Sequence, residues 1–260
     1  MPGSAFLPLV PRPNPVGYNN AELRTDFKAV GLSFIAVGSA DAEIDLTKVT
    51  VTGYTEGTAG DVEIQMLDSL GVSVATYQWN DYDKKDKKSG QTIHYEGWSD
   101  ANDGSFIAEG DVIIPAGKGM WIHAPSAEWK IVCNGQVLTA GQAIKLCEDF
   151  TMAANPYPCS VDLTTLWVSG YEEGTAGDVE IQMLDSLGVS EATYQWNDYD
   201  KKDKKSGQTI HYEGWSDAND GSFISEGDVV LQSNDGLWVH APADTWYLNF
   251  PGILGDETAE

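Results

Sequence analysis

The chain has 260 residues, of which 40 are acidic and 15 basic, and its formal net charge is −25. Nucleic acids and anionic membrane surfaces are therefore disfavoured as partners, because they carry the same sign of charge. A hydrophobic content of 42% with 10% aromatic residues is too high for a disordered chain. No apolar run reaches the roughly 20 residues that a membrane-spanning helix needs. Composition thus predicts a folded, acidic protein.

The first 27 residues are predicted to form an extended arm, since five of the eleven prolines of the chain lie there and proline fixes φ and removes a backbone donor. Short helical turns are an alternative only near residues 21–30. We expect the apolar side chains of the arm to dock on the parent domain or on a neighbouring subunit, and these are Phe6, Leu7, Leu9 and Val10. No basic residue precedes this short, proline-interrupted apolar segment, so it lacks a signal-peptide pattern. The Trp- and Gly-rich composition favours an extracellular or cell-surface protein whose signal has been removed.

The rest of the chain is a tandem duplication. Residues 57–107 and 174–224 align without a gap at a constant offset of 117, and they differ only at Val74, which is Glu191 in the second copy. Weaker similarity continues on both sides, for example from Gly119–Pro125 to Gly236–Pro242. Two copies are too few for a solenoid, so each copy must close its own core. We predict domains at 28–143 and 144–260, preceded by the arm.

Each copy reads as a series of short strands. Val49 and Val51, and then Val62, Ile64 and Met66, alternate with more polar residues, as half-buried strands do. Further candidates are 76–79, 92–95, 112–114, 120–122 and 129–132. Turn residues recur every 8–12 positions, which is typical of antiparallel sandwiches and barrels. The predicted fold class is all-β, with two tandem antiparallel, jelly-roll-like β-sandwich domains.

The segment Asn80–Gly90 and its copy at 197–207 are predicted to be surface loops with an unusual charge. They hold eight of the fifteen basic residues: Lys84, Lys85, Lys87, Lys88, Lys201, Lys202, Lys204 and Lys205. One interpretation is a solvated hairpin tip whose lysines aid solubility. The other is a cationic contact on an anionic body, because complementary potentials guide docking and a contact that does not close on itself gives a filament. The leading hypothesis is a structural protein that polymerises with itself through these loops and the arm.

The same loops contain carboxylates that are candidate Ca²⁺ ligands, since this ion binds six to eight oxygens. The residues concerned are Asp81, Asp83, Asp86, Asp198, Asp200 and Asp203. The spacing does not match the EF-hand loop, and four neighbouring lysines would repel a dication. The competing interpretation is that these residues cap turns. No other cofactor is indicated.

An aromatic platform for carbohydrates is the alternative function. Its candidate residues are Trp79, Tyr82, Tyr95, Trp98, Trp196, Tyr199, Tyr212 and Trp215. Aromatic residues in strands also form cores, and the alternation indicates that some of these side chains point inward.

Catalysis finds little support in the sequence. Neither a Gly-x-Ser-x-Gly elbow nor a His-Glu-x-x-His motif is present, so we expect a protein that is not an enzyme. Three cysteines, Cys133, Cys147 and Cys159, lie near the junction of the copies. They form either one disulfide of undetermined pairing or buried thiols.

Two short segments resemble parts of secreted bacterial tandem β-sandwich repeat proteins of the cell surface and envelope. They are Phe150–Pro158, with its Asn-Pro-Tyr-Pro entry, and Ile114–Ile122, with its late Gly-x-Gly-aromatic strand. The first copy departs from the entry motif, with Gly38–Asp41 in that place. The resemblance implies an extracellular, non-enzymatic role and no defined ligand.

Overall fold

The structure, a computed structural model, describes residues 16–37, 42–55, 57, 62–172 and 178–253. The apolar arm residues Phe6, Leu7, Leu9 and Val10 lie outside these ranges. The described part is all-β, as predicted, and every strand pairing in it is antiparallel. Its helical segments are the 3₁₀ turns Leu46–Lys48 and Leu163–Thr165. Within the described ranges, no helix has the length and apolar character needed to span a membrane.

The described residues of the first copy form eleven strands. They are β1 (Val16–Glu22), β2 (Asp26–Gly31), β3 (Phe34–Ile35), β4 (Glu43–Asp45), β5 (Val49–Thr52), β6 (Glu63–Leu67), β7 (Ser73–Lys85), β8 (Thr92–Asp100), β9 (Ile113–Pro115), β10 (Gly119–Ala124) and β11 (Lys130–Val137).

The second copy repeats this order without a counterpart of β3. Its strands are β12 (Gln142–Lys145), β13 (Asp149–Ala154), β14 (Val161–Asp162), β15 (Trp167–Ser169), β16 (Glu180–Leu184), β17 (Ser190–Lys202), β18 (Thr209–Asp217), β19 (Val230–Leu231), β20 (Gly236–Ala241) and β21 (Tyr247–Phe250).

The strands predicted from residue alternation are confirmed, whereas the start of the first copy differs from the prediction. Residues 16–22 form β1, which pairs along its whole length with β11, and β2 begins at Asp26. Residues 16–22, 26 and 27 of the predicted arm therefore belong to strands, and the helical alternative near residues 21–30 is wrong. The strand VGYNNAE has few of the branched apolar residues that mark strands in a sequence, so its composition does not indicate a strand. At the junction, β12 pairs with β21, so the second copy begins by Gln142.

Each copy places two main sheets around one hydrophobic cluster. In the first copy β11 pairs with β1, β3 and β5, and the second sheet has the order β2-β10-β6-β7-β8. Val51 and Ile131 from the first sheet pack in the same buried cluster as Ile64, Trp98 and Ile122 from the second. The second copy repeats the arrangement with sheets β12-β21-β15 and β13-β20-β16-β17-β18. The described fold is thus sandwich-like in both copies.

The two copies meet through reciprocal contacts at the β2 and β13 edges of the large sheets. Val30 bridges to Asp235, and the equivalent pair in the opposite sense is Ala153 with Lys118. The amide of Gly31 donates to the carbonyl of Asn234 at 3.0 Å, while the amide of Ala154 donates to that of Gly117 at 2.8 Å. Such exchange of equivalent contacts is the mark of a two-fold, isologous interface, here formed within one chain.

The turn that follows β6 reaches across this interface to the second copy, and the equivalent turn after β16 reaches across to the first. A Cβ at Gly71 would lie 3.5 Å from Trp238, and one at Gly188 would lie 3.6 Å from Trp121. The Phe150 amide also donates to the Ser69 carbonyl at 3.2 Å. Each copy therefore covers an aromatic side chain of the other, and the copies are packed together as a pair.

A test of this interface uses Gly31 and its counterpart Ala154. A Cβ at Gly31 would lie 2.1 Å from the Cβ of Ala154, so we expect Gly31→Ala to lower the free energy of unfolding by about 1–3 kcal/mol, as overpacking does. Adding Ala154→Gly removes the clashing methyl group, and the double variant should regain most of that loss. Urea unfolding of the wild type, both single variants and the double variant measures the coupling. Additive effects of the two changes would contradict the described interface.

Candidate functional site

The charged segments predicted as loops are in large part strands. Pairing of β7 with β8 runs from Tyr77 opposite Asp100 to Lys85 opposite Thr92. The neighbouring β6 reaches only as far as Gln78 on β7, so the remainder projects from the sheet as a two-stranded ribbon. The second copy has the same ribbon in β17 and β18. We call these two structures the first and second hairpins.

A pair of tryptophans anchors each hairpin in the core. Trp79 and Trp98 lie opposite each other in the ladder with ring centroids 5.3 Å apart in an edge-to-face arrangement. Nε1 of Trp98 donates to the carbonyl of Val49 at 2.7 Å, across to the other sheet, and Nε1 of Trp79 donates to the hydroxyl of Tyr54 at 3.0 Å. Burial of indole groups with satisfied N–H donors is strongly stabilising. The hairpin root is thus fixed to both layers.

This burial corrects the predicted carbohydrate platform. The four tryptophans assigned to it are 2–4% exposed and belong to the core: Trp79, Trp98, Trp196 and Trp215. Alternation along the strands turns them inward and leaves the tyrosines of the platform at the surface. Tyr82 and Tyr95 stack at 5.4 Å, and Phe106 follows Tyr95 at 5.8 Å. The second copy repeats the strip with Tyr199, Tyr212 and Phe223.

The opposite face of each hairpin carries a histidine among three carboxylates. In the first hairpin, Nδ1 of His94 lies 3.1 Å from Asp83, and Nε2 lies 3.6 Å from Asp81 and 3.9 Å from Glu96. The second hairpin has the same set around His211, with corresponding distances of 3.1, 3.7 and 3.8 Å. Sequence reasoning missed this cluster, although Asp81 and Asp83 share a strand face and the cross-strand register places His94 beside them.

A hydrogen-bond chain links the cluster to the core. In the second copy Nε1 of Trp196 donates to the hydroxyl of Tyr171, which donates to Oδ2 of Asp198 at 2.9 Å. Burial, with the nearby Asp198 adding to it, raises the pKa of Tyr171 to about 12. Oδ1 of Asp198 is buried without a hydrogen-bond partner among the described residues, and Nε2 of His211 lies 3.7 Å from it.

The side chain of Asp86 takes part in the turn at the hairpin tip. Its side chain accepts hydrogen bonds from the Lys88 amide at 2.9 Å and the Ser89 hydroxyl at 2.6 Å, and these bonds lower its pKa. Gly90 closes the turn with a φ of +71°, a conformation that glycine adopts without strain. Asp203 makes the same bonds in the second hairpin. Both residues therefore cap turns, as one of the two interpretations predicted.

The predicted calcium ligands do not converge. Asp81 and Asp83 face His94, as Asp198 and Asp200 face His211, while Asp86 and Asp203 bind their own turns. Among the described residues, no group of three or more His, Cys, Asp or Glu side chains is arranged to hold a metal ion. A strand that rises about 3.3 Å per residue separates positions 81 and 86 too far for one ion.

The lysines surround the tip of each hairpin. Lys84 and Lys85 end β7, whereas Lys87 and Lys88 lie in the turn, and all four are exposed. In the second hairpin the four equivalent lysines line a shallow surface depression together with Ile210 and Tyr212. The positive charge of this tip is complementary to an acidic partner surface, and the two apolar side chains lie beside it.

All three thiols are free, with Cys133 buried and Cys147 and Cys159 exposed, and burial raises the pKa of Cys133 to about 12. His123 and His240 pack against Phe27 and Phe150, at 4.9 and 5.1 Å between ring centroids.

Comparison of the chain with protein-family models, with curated proteins and with solved structures gives no match.

The histidine cluster makes a testable prediction about pH. The hydrogen bond to Asp83, together with the nearby Asp81 and Glu96, raises the pKa of His94 above its usual value. Because the folded-state pKa is the higher one, the cluster stabilises the fold fully below the unfolded pKa of about 6.5, and this contribution is lost as pH rises through the folded value. We expect Asp83→Asn to lower the pKa of His94, measured by NMR titration, and Asp200→Asn to lower only that of His211. A His94 pKa unmoved by Asp83→Asn would contradict the cluster.

Proposed function

We propose that this chain is a secreted structural protein that assembles with itself into an extracellular fibre, tube or surface layer. In this proposal each copy is a jelly-roll-like β-sandwich domain, and the contacts come from the duplicated hairpins and the apolar arm residues. The observation that carries it is the projection of the same ribbon from both copies, each with four lysines around its tip. These tips are rich in lysine, although the chain as a whole has a net charge of −25.

The position of the hairpins supports an open assembly. Within each large sheet the copies meet at the β2 or β13 edge, and the hairpin lies at the other end of the strand order. Four strand spacings of about 4.8 Å separate the two edges of a sheet. The two hairpins therefore leave the molecule on different sides, so contacts at both extend a chain of molecules without closing it.

The proposed location outside the cell rests on the sequence. Nine tryptophans and 27 glycines with few basic residues, and the resemblance to secreted repeat proteins, favour a surface or matrix protein. The sequence contains neither the Gly-x-Ser-x-Gly nor the His-Glu-x-x-His motif, which accords with a structural role. The contribution of Phe6, Leu7, Leu9 and Val10 is proposed from the sequence alone, as an extended segment that adds to an exposed sheet edge.

Carbohydrate binding is the second candidate, and one observation favours it. In the strip formed by Tyr82, Tyr95 and Phe106, the two tyrosines are stacked and Phe106 is tilted against Tyr95. The strip is partly exposed, with Tyr82 at 36% and Phe106 at 38%. Stacked aromatic faces bind apolar faces of ligands. This candidate differs from self-assembly in its response to charge, because glycan binding through the strip requires no lysine.

The proposal predicts that assembly depends on the lysine tips. Lys87→Glu with Lys88→Glu in the first hairpin should reduce the average particle mass at a given protein concentration, because the cationic tip then repels the acidic body. Association of the wild type should also weaken with added salt, since exposed charges are screened over about 8–10 Å at 0.1–0.15 M. Sedimentation velocity and electron microscopy of the full chain measure both effects.

The matched control carries the same change of net charge elsewhere. Lys48 makes an exposed ion pair with Glu109, which contributes little to stability, and Lys145 is exposed at the end of β12. Lys48→Glu with Lys145→Glu should leave assembly close to that of the wild type. Purely monomeric wild-type protein at all concentrations would overturn the proposed function, and an equal loss in the control would remove the specific role of the tips.

A further inference from the structure

Strand β8 has an edge that no strand of the described chain covers over Thr92–Gly97. On one side it pairs with β7, and on the other side the segment around Phe106 meets it through the isolated bridge from Ser99 to Phe106. Native edge strands are usually blocked by lysine, proline or a short length. Residues 92–97 contain neither lysine nor proline, and the second copy presents the identical sequence in β18.

The hydrogen bonds beyond this edge show which backbone groups face outward. The Ile107 amide donates to the Trp98 carbonyl and the Asp100 amide donates to the Ser105 carbonyl, both at 2.9 Å. Backbone groups of alternate residues point to the same side of a strand. The amides and carbonyls of Thr92, His94 and Glu96 therefore point away from β7, toward solvent.

The side chains around Tyr95 are arranged for pairing with a copy of themselves. When two identical strands pair antiparallel about a two-fold axis perpendicular to the sheet, the residue on the axis faces its own copy. With Tyr95 on the axis, the outward groups of His94 meet those of Glu96 from the other molecule, and the imidazole and the carboxylate become cross-strand neighbours. Opposite charges in such positions stabilise a sheet, whereas an axis at His94 would place two imidazoles against each other.

The same register gives a short paired segment. The Ile107 amide and the Ser105 carbonyl already bond to Trp98 and Asp100 at this edge, so pairing with a second copy is confined to residues 93–97. Antiparallel pairing over this segment inverts one hairpin relative to the other, with Tyr95 at its centre.

We propose that the outer edge of β8, and equally of β18, is the contact surface for a second copy of this chain, paired antiparallel with Tyr95 or Tyr212 on the two-fold axis. The inference rests on the proposed function and identifies its contact. Since each molecule has two such edges on different sides, pairing at both gives a linear polymer, and pairing at one gives a dimer.

A disulfide placed on the axis tests this register. Facing residues in the non-hydrogen-bonded sites of an antiparallel pair have Cα atoms about 4.5 Å apart, within the range of a disulfide. In a Cys147→Ser/Cys159→Ser background, which removes the exposed thiols, Tyr95→Cys should give a cross-linked dimer of twice the 28.2 kDa chain mass on mild oxidation. Tyr95→Cys with Tyr212→Cys should give a ladder of larger products.

Ile93→Cys in the same background is the matched control. In the proposed register two copies of residue 93 lie four residues apart along the strands, about 13 Å, which is too far for a disulfide. Absence of a Tyr95→Cys cross-link, or an equal yield from Ile93→Cys, overturns the edge pairing. If the wild type still polymerises in that case, the proposed function survives with a different contact. If the wild type is also monomeric throughout, both proposals fail.

Discussion

The tryptophan pair at the root of each hairpin is the interaction on which the other features of the surface depend. A two-stranded ribbon is marginally stable by itself in water, so a projecting hairpin needs an anchor. Trp79 and Trp98 supply it, because they lie within the core and Trp98 also hydrogen-bonds to Val49 in the other sheet. With its root fixed, the ribbon can present polar and aromatic faces beyond the core.

The two faces of the ribbon follow from the period of two along a strand. One face continues from the tryptophans to Asp81, Asp83 and His94, and the other carries Tyr82 and Tyr95. The charged face is held by the link from indole to tyrosine hydroxyl to carboxylate. On the aromatic face, Tyr82 stacks on Tyr95. Both faces are exposed to solvent, and the tryptophan pair in the core fixes the position of the ribbon that carries them.

Duplication gives the hairpins their arrangement. A loose linker between the copies would leave the relative directions of the two hairpins undefined. The reciprocal contacts between the β2 and β13 edges, with Gly31 packed on Ala154 and the Gly71 turn against Trp238, hold the copies as a two-fold pair. A fixed two-fold pair presents its two equivalent edges in directions related by symmetry, which is the condition for ordered growth.

The sequence by itself determined the all-β class, the duplication and most strands, because alternation and repeated letters are local signals. It left Asp86 open between a calcium ligand and a turn cap, and the folded turn decided for the cap. It did not separate buried from exposed aromatic side chains. Trp98 and Tyr95 are both aromatic residues of one strand, and only the packing of the facing sheet decides which of them is buried. Nor did it extend strand β7 through Asp81–Lys85, since a run of charged residues has low strand propensity and is held in the ladder by its partner strand. The cluster around His94 and the two-fold meeting of the copies join residues distant in sequence, so tertiary structure alone decided them.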